Sequence, residues 1–118
     1  MVEDLYWVFT LHIKPGQYQE FRTLVAEIVA ATRQEPGTLA YQYSVSADKT
    51  IVHIFERYRS SDAFVEHVEQ TFGGYAERFL SLVTIVSLVV YGNPDARARK
   101  ALDTFNATYM TIFDGFAG

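Results

Sequence analysis

The stretch from Arg33 to Glu69 constrains the fold more than any other part of the chain. Glu35-Pro36-Gly37-Thr38 breaks a helix, because Pro36 disfavours a helical residue before it and Gly37 accepts a positive φ. Leu39 to Val45 then reads as a strand and Ile51 to Tyr58 as its hairpin partner. Ser60, Ser61 and Asp62 open a second helix, which carries His67. Upstream lie a strand over Leu5 to Ile13, a turn at Lys14-Pro15-Gly16 and a helix from Gln17 to Thr32; downstream, Leu82 to Tyr91 is a further apolar run. The order is β-α-β-β-α-β, an α+β pattern that packs its helices on one face of an antiparallel sheet and leaves the other face open.

That open face reads as apolar. The first strand offers Leu5, Trp7, Phe9, Leu11 and Ile13 on one side, with Tyr6, Val8, Thr10 and His12 on the other. The last run alternates Val83, Ile85, Val89 and Tyr91 against Val86, Leu88 and Val90, so neither side is a water-facing row. Two helices cannot cover both faces, and the economical arrangement is a homodimer in which two sheets close over each other.

A chain of 118 residues suits one core and no separate catalytic domain. We divide it into a domain over 1–92 and a C-terminal helical extension over 93–118, which packs on its own domain or on the partner subunit. Asn93 or Asp95 can cap that extension, Pro94 suits its first turn, and Ala98, Ala101, Leu102 and Phe105 give it one apolar face, so a helix is expected to run to about Ala107. The ending, Tyr109 to Phe116, is apolar enough to pack near a dimer seam or over a pocket mouth. Aromatic residues make up 15% of the chain, more than one small core needs, which favours an interface or a ligand cavity.

The net charge is −4 and the basic residues are scattered, which argues against a nucleic-acid partner. No apolar run reaches the roughly 18 residues of a membrane span, and Glu3-Asp4 replaces the basic start of a signal peptide, so a cytoplasmic protein with no membrane partner is expected. With no cysteine, thiolate nucleophiles, disulfides and thiolate metal ligands are all excluded. His53, His67 and Glu56 show no ligand spacing, so no metal site is expected. No nucleophile-elbow sequence supports a Ser-His-Asp hydrolase.

Four segments carry a family resemblance: Lys14-Pro15-Gly16 after the first strand, Arg33 to Tyr41 leading into the second, Phe55-Glu56-Arg57-Tyr58-Arg59-Ser60 leaving the third, and the helix Asp62 to His67. From Leu5 to Tyr91 the chain resembles the antibiotic biosynthesis monooxygenase family of ferredoxin-like, dimeric α+β barrels, which includes quinol monooxygenases and more distant haem-degrading enzymes. The resemblance implies oxidation of a small phenol- or quinol-type aromatic by O2 without cofactor. Such a site needs a dry aromatic slot, a base and a donor for the developing oxyanion.

On that implication, His67 and His53 are the candidate bases, since imidazole titrates near neutrality. Trp7, Phe9, Tyr41, Tyr43, Phe55, Phe64 and Phe72 are candidate walls of the slot, and Arg57 or a Tyr hydroxyl is the candidate oxyanion holder. The alternation of His53 with Ile51 and Phe55 equally suits a core or interface histidine, whereas His67 lies beside a buried helical stripe and matches a His of the family pattern. His12, near a strand end, reads as exposed. Glu35 reads as turn chemistry alone, and Glu56 as a buried, hydrogen-bonded strand carboxylate before it reads as a base. Many relatives have a second helix His where this chain has Gly73-Gly74-Tyr75. A haem-degrading reading fits less well, because Phe9 stands where those relatives have Asn. The alternative from another class is a non-catalytic dimeric module that binds a small ligand or serves a stress response.

Overall fold

The computed structural model describes residues 5–117. Strand β1 (Leu5–Ile13) leads through the Lys14–Gly16 turn into α1 (Tyr18–Thr32), then β2 (Thr38–Val45) and β3 (Ile51–Tyr58). Next come α2 (Ser61–Glu66), a π-helical turn (His67–Thr71), a 3₁₀ turn (Phe72–Gly74), α3 (Ala76–Leu82) and β4 (Val83–Tyr91). The chain ends with α4 (Ala96–Leu102), a 3₁₀ turn (Asp103–Phe105) and a short β5 (Thr108–Met110). The sheet order is β2-β3-β1-β4-β5, antiparallel except for the β4–β5 pair. This is the α+β, ferredoxin-like arrangement expected from the order of elements, with one edge strand added. Among the described residues no helix is long and apolar enough to cross a membrane.

Strand alternation sets what faces the helices. Leu5, Trp7, Leu11 and Ile13 of β1 and Val52, Ile54, Glu56 and Tyr58 of β3 are all buried on the helix side. One half of the core packs Trp7 and Tyr58 against Phe64 of α2 and Ala98 and Leu102 of α4; the other packs Leu11 and Ile54 against Phe21, Leu24 and Phe79. Trp7 is fully buried and meets Phe64 edge-on at 4.6 Å between ring centroids.

Several expectations are revised. The β1–β4 register shifts between Thr10 and Leu11, so Val86 sits in a bulge and the two sides of β4 exchange phase there. Val83, Ile85, Leu88 and Val90 therefore share the core side, not Val83, Ile85, Val89 and Tyr91. The open face is correspondingly mixed. It carries a half-buried aromatic cluster, Tyr6 with Phe55 and Tyr91, at one end, and Thr10, His12, His53 and Ser87 at the other.

The C-terminal helix stops at Leu102, five residues short of Ala107; Asn106, at φ 55°, turns the chain so that β5 pairs with β4. Asp95 caps α4 by accepting from the Ala98 N–H at 2.9 Å. Tyr109 closes on the helix, donating to Asp103 at 2.6 Å beneath the Arg99 guanidinium. Beyond Met110 the ending does not pack on the rest of the chain: Phe113 is 94% exposed and Phe116 fully so.

Gly37 does not have a positive φ; Gly16, Gly92 and Gly115 do. Its lack of a side chain serves close approach instead, since a Cβ there would lie 2.5 Å from the Ala63 Cβ.

Candidate active site

The site begins with two turns brought into contact. Ser60 caps α2 by accepting from the Ala63 N–H at 3.2 Å, which starts the helix beside the turn that precedes β2. Contact between Gly37 and Ala63 fixes the separation of the two segments. One helical turn beyond Ala63, at position i+4 on the same side, stands His67.

His67 is 3% exposed, and its Nδ1–H donates to Glu35 Oε1 at 3.0 Å and Oε2 at 3.1 Å. Glu35 is itself held by the Thr38 hydroxyl, which donates to Oε1 at 2.5 Å. The Glu-Pro-Gly-Thr turn thus fixes a carboxylate and aims it at the imidazole. Among the described residues Nε2 has no hydrogen-bond partner, so the neutral ring presents it as the accepting nitrogen.

At His67 the helix widens into the π turn, a feature frequent at functional sites. The widened turn leaves no room at Gly73, where a Cβ would stand 2.8 Å from the Val68 carbonyl oxygen. Gly74, the next residue, has open space around it.

His67 opens on a cavity of about 250 Å³. Tyr41, Tyr43, Ile54 and Glu56 line it from β2 and β3, and Phe9, Leu11 and Ile85 from β1 and β4. Phe64, Phe72 and Phe79 come from the α2–α3 layer, and Ala101, Thr104 and Phe105 from the C-terminal extension. Phe72 stacks on His67 at 6.1 Å between centroids, and Phe105 meets Phe9 edge-on at 5.5 Å. No lysine or arginine is among the lining residues.

Two polar features face this apolar space. The Tyr41 and Tyr43 hydroxyls lie 2.8 Å apart, so one donates to the other and one hydroxyl hydrogen remains over. Burial pushes both phenols up, which keeps them protonated donors. Glu56 is 5% exposed and accepts from the Tyr58 hydroxyl at Oε1, 2.6 Å away. Burial raises its carboxyl above the ordinary value, and the opposing pull of His67, Tyr58 and the cross-strand Trp7 only partly offsets it. The Trp7 indole N–H makes no well-aligned hydrogen bond, so its influence on Glu56 is the weakest of those three.

The structure gathers His67, Phe9, Tyr41, Tyr43, Phe64 and Phe72 around the cavity, and places four other sequence candidates elsewhere. His53, Phe55 and Arg57 alternate with Val52, Ile54 and Glu56 and therefore lie on the open face, His53 exposed. Trp7 belongs to the core beneath the helices and does not line the cavity. His12 is exposed, as its strand-end position suggested. Sequence reasoning missed Glu35, whose signal was Thr38 three residues on, and missed the extension as a cavity wall. Among the described residues no group of three or more His, Cys, Asp or Glu could hold a metal ion.

Residues 5–71 match the antibiotic biosynthesis monooxygenase family. The chain belongs to that family. Among solved structures, MupZ from Pseudomonas fluorescens is similar with a TM-score of 0.81 and 18% identity, over 98% of this chain and 95% of its own. Rv0793 from Mycobacterium tuberculosis is similar with a TM-score of 0.67 and 26% identity, over 78% of this chain and 96% of its own. A variant of SnoaB, a cofactor-independent oxygenase from Streptomyces nogalater, gives a TM-score of 0.67 and 18% identity, over 80% of this chain and 96% of its own. At 18% identity the likeness is one of fold. The first of these spans nearly the whole chain, and the other two about four fifths of it. No curated protein matches the chain in sequence.

Proposed function

We propose that this chain is a cofactor-independent monooxygenase that oxidises a small phenol- or quinol-type aromatic with O2, and that His67, oriented by Glu35, is its general base. The observation that carries the reading is an imidazole pinned by a carboxylate on the wall of an apolar, aromatic cavity. Family membership and the description of SnoaB as a cofactor-independent oxygenase support it.

With Nδ1–H given to Glu35, Nε2 takes the hydroxyl proton of a ring lying in the cavity, and the Glu35 carboxylate stabilises the imidazolium that forms. The substrate anion is electron-rich enough to pass one electron to O2. Substrate radical and superoxide then combine at a ring carbon, and the proton on His67 returns to the outer peroxide oxygen. The spare hydroxyl hydrogen of the Tyr41–Tyr43 pair serves as donor to charge on the substrate oxygen. Overall, one atom of O2 becomes a ring carbonyl, and the other leaves as water with two hydrogens from the substrate.

The working unit in this reading is a homodimer closed across the open sheet face, supported by the aromatic cluster of Tyr6, Phe55 and Tyr91 there. Light scattering should give about twice 13.4 kDa, and a monomer mass at micromolar concentration contradicts it.

Oxygen uptake by purified, chelator-treated protein tests the enzyme reading, with dihydroxynaphthalenes and anthrone as probes and a boiled sample as the autoxidation control. Uptake above the control supports it. None across the panel, from folded protein, moves the reading to a binding module that holds a hydrophobic molecule in the same cavity.

A further inference from the structure

We infer that Glu56 is a second catalytic base of this site, the group that takes the ring C–H proton when the oxygenated substrate collapses to a carbonyl. The inference rests on the oxygenase reading above. Oxidation of a ring C–H to C=O needs two protons moved at two places. His67 accounts for the hydroxyl proton and returns it to the peroxide. At that stage the ring carbon still carries hydrogen and an O–OH group.

Completion of the reaction has a fixed balance. A base removes the proton from that carbon, the C–H electron pair becomes the second bond of the carbonyl, and the O–O bond breaks with departure of hydroxide. The base then passes its proton to the hydroxide, giving water, and is restored. The oxidant is the O2 already consumed in forming the peroxide, so no further reactant is needed.

Four titratable side chains line the cavity: Tyr41, Tyr43, Glu56 and His67. Burial holds the two tyrosines protonated, so neither takes a proton at neutral pH. His67 is engaged at Nδ1 by Glu35 and used at Nε2. Glu56 remains. It stands on an interior strand, β3, cross-strand from Trp7 on one side and from Tyr41 on the other. Tyr58 fixes its Oε1 at 2.6 Å, while Oε2 accepts no well-aligned hydrogen bond among the described residues, the Trp7 indole N–H acting on the carboxyl only weakly. A side chain 5% exposed, lining a cavity with one oxygen uncommitted, is placed to act on what the cavity holds. Burial also strengthens it as a base relative to an ordinary carboxylate.

The test follows oxidation of anthrone, which enters the scheme through its hydroxyl-bearing enol tautomer, by quenched-flow chromatography, measuring O2 consumed, hydroperoxide and anthraquinone together. In the unsubstituted protein, quinone should keep pace with O2. Glu56→Gln preserves shape and the Tyr58 hydrogen bond but removes the base, so hydroperoxide should accumulate and quinone should lag O2 uptake by roughly 10²-fold. Glu56→Asp, which withdraws the carboxylate by one methylene, should show the same lag to a smaller degree and carries the test if the Gln variant does not fold. Quinone that keeps pace with O2 in the folded variants, or O2 uptake that falls equally with quinone, overturns the role of Glu56 alone. Absence of uptake in the unsubstituted protein overturns the oxygenase reading, and this inference with it.

Discussion

His67 and Glu35 are separated by 32 residues in sequence and joined in the fold, with Nδ1 within 3.0 and 3.1 Å of the two carboxylate oxygens. The bond sets the tautomer, so the ring offers Nε2 to the cavity, and it supplies the charge that an imidazolium needs. Glu35→Gln keeps an acceptor for Nδ1–H but removes that charge. Turnover should fall by roughly 10²-fold, close to the loss in His67→Ala, with little change in melting temperature. Initial rates and thermal melts of both variants check this; a Glu35→Gln enzyme with undiminished turnover would remove Glu35 from the account.

The Gly37–Ala63 contact should be as sensitive as a core position. An added methyl at 37 has nowhere to go with the Ala63 Cβ at 2.5 Å, so Gly37→Ala should cost about 1–3 kcal/mol. Ala63→Gly in the same chain should recover most of that loss. Urea unfolding of the two single variants and the double variant gives the coupling directly, and simple additivity would show that the contact does not hold the turns together.

Glu56 should leave a signature in the pH dependence of stability. Its folded carboxyl sits above the ordinary 4.5, so the folded chain keeps this proton to higher pH than the unfolded chain does. From about 4.5 up to the folded value the unfolded state releases the proton first, and each rise in pH therefore favours unfolding; above that window the effect is complete and constant. Glu56→Gln has no such titration. The stability of the Gln variant relative to the unsubstituted protein should rise through this window and then level off. A difference that falls with pH would mean that His67, Tyr58 and Trp7 together outweigh burial.

Phe105 closes the cavity against Phe9 from the C-terminal extension. The strand order places this wall beyond β1 and β4, at the far end from Tyr41 and His67. Phe105→Ala should lengthen the space available and shift anaerobic binding from two-ring to three-ring phenols by about tenfold. Calorimetric titration with naphthol and anthrone measures the shift, and equal changes for both ligands would show that Phe105 does not set length.

The fold was legible because its signals are local and periodic. Alternation in β1 and β3, the Pro36-Gly37 break and the Ser60 cap each specify one element, and together they leave one order of strands. The phase of β4 was not legible, since a bulge at Val86 inside a run of Val, Ile and Leu exchanges faces without any change of residue type. Period-2 reasoning also separates His53 from His67, but only once the face that carries the helices is known. Glu35 looked like turn chemistry because Thr38, three residues on, accounts for the turn alone, while the partner His67 lies across a tertiary contact that Gly37 permits. The wall built by Thr104 and Phe105 was hidden for the same reason, as was the π turn that excludes a side chain at Gly73.

The most direct measurement of the central claim is the mass of the product formed from anthrone under ¹⁸O₂ by chelator-treated protein. The account predicts one ¹⁸O atom in the quinone, formed at a rate that His67→Ala lowers by roughly 10²-fold. Product without label, or labelled product formed no faster than in a boiled sample, would contradict it.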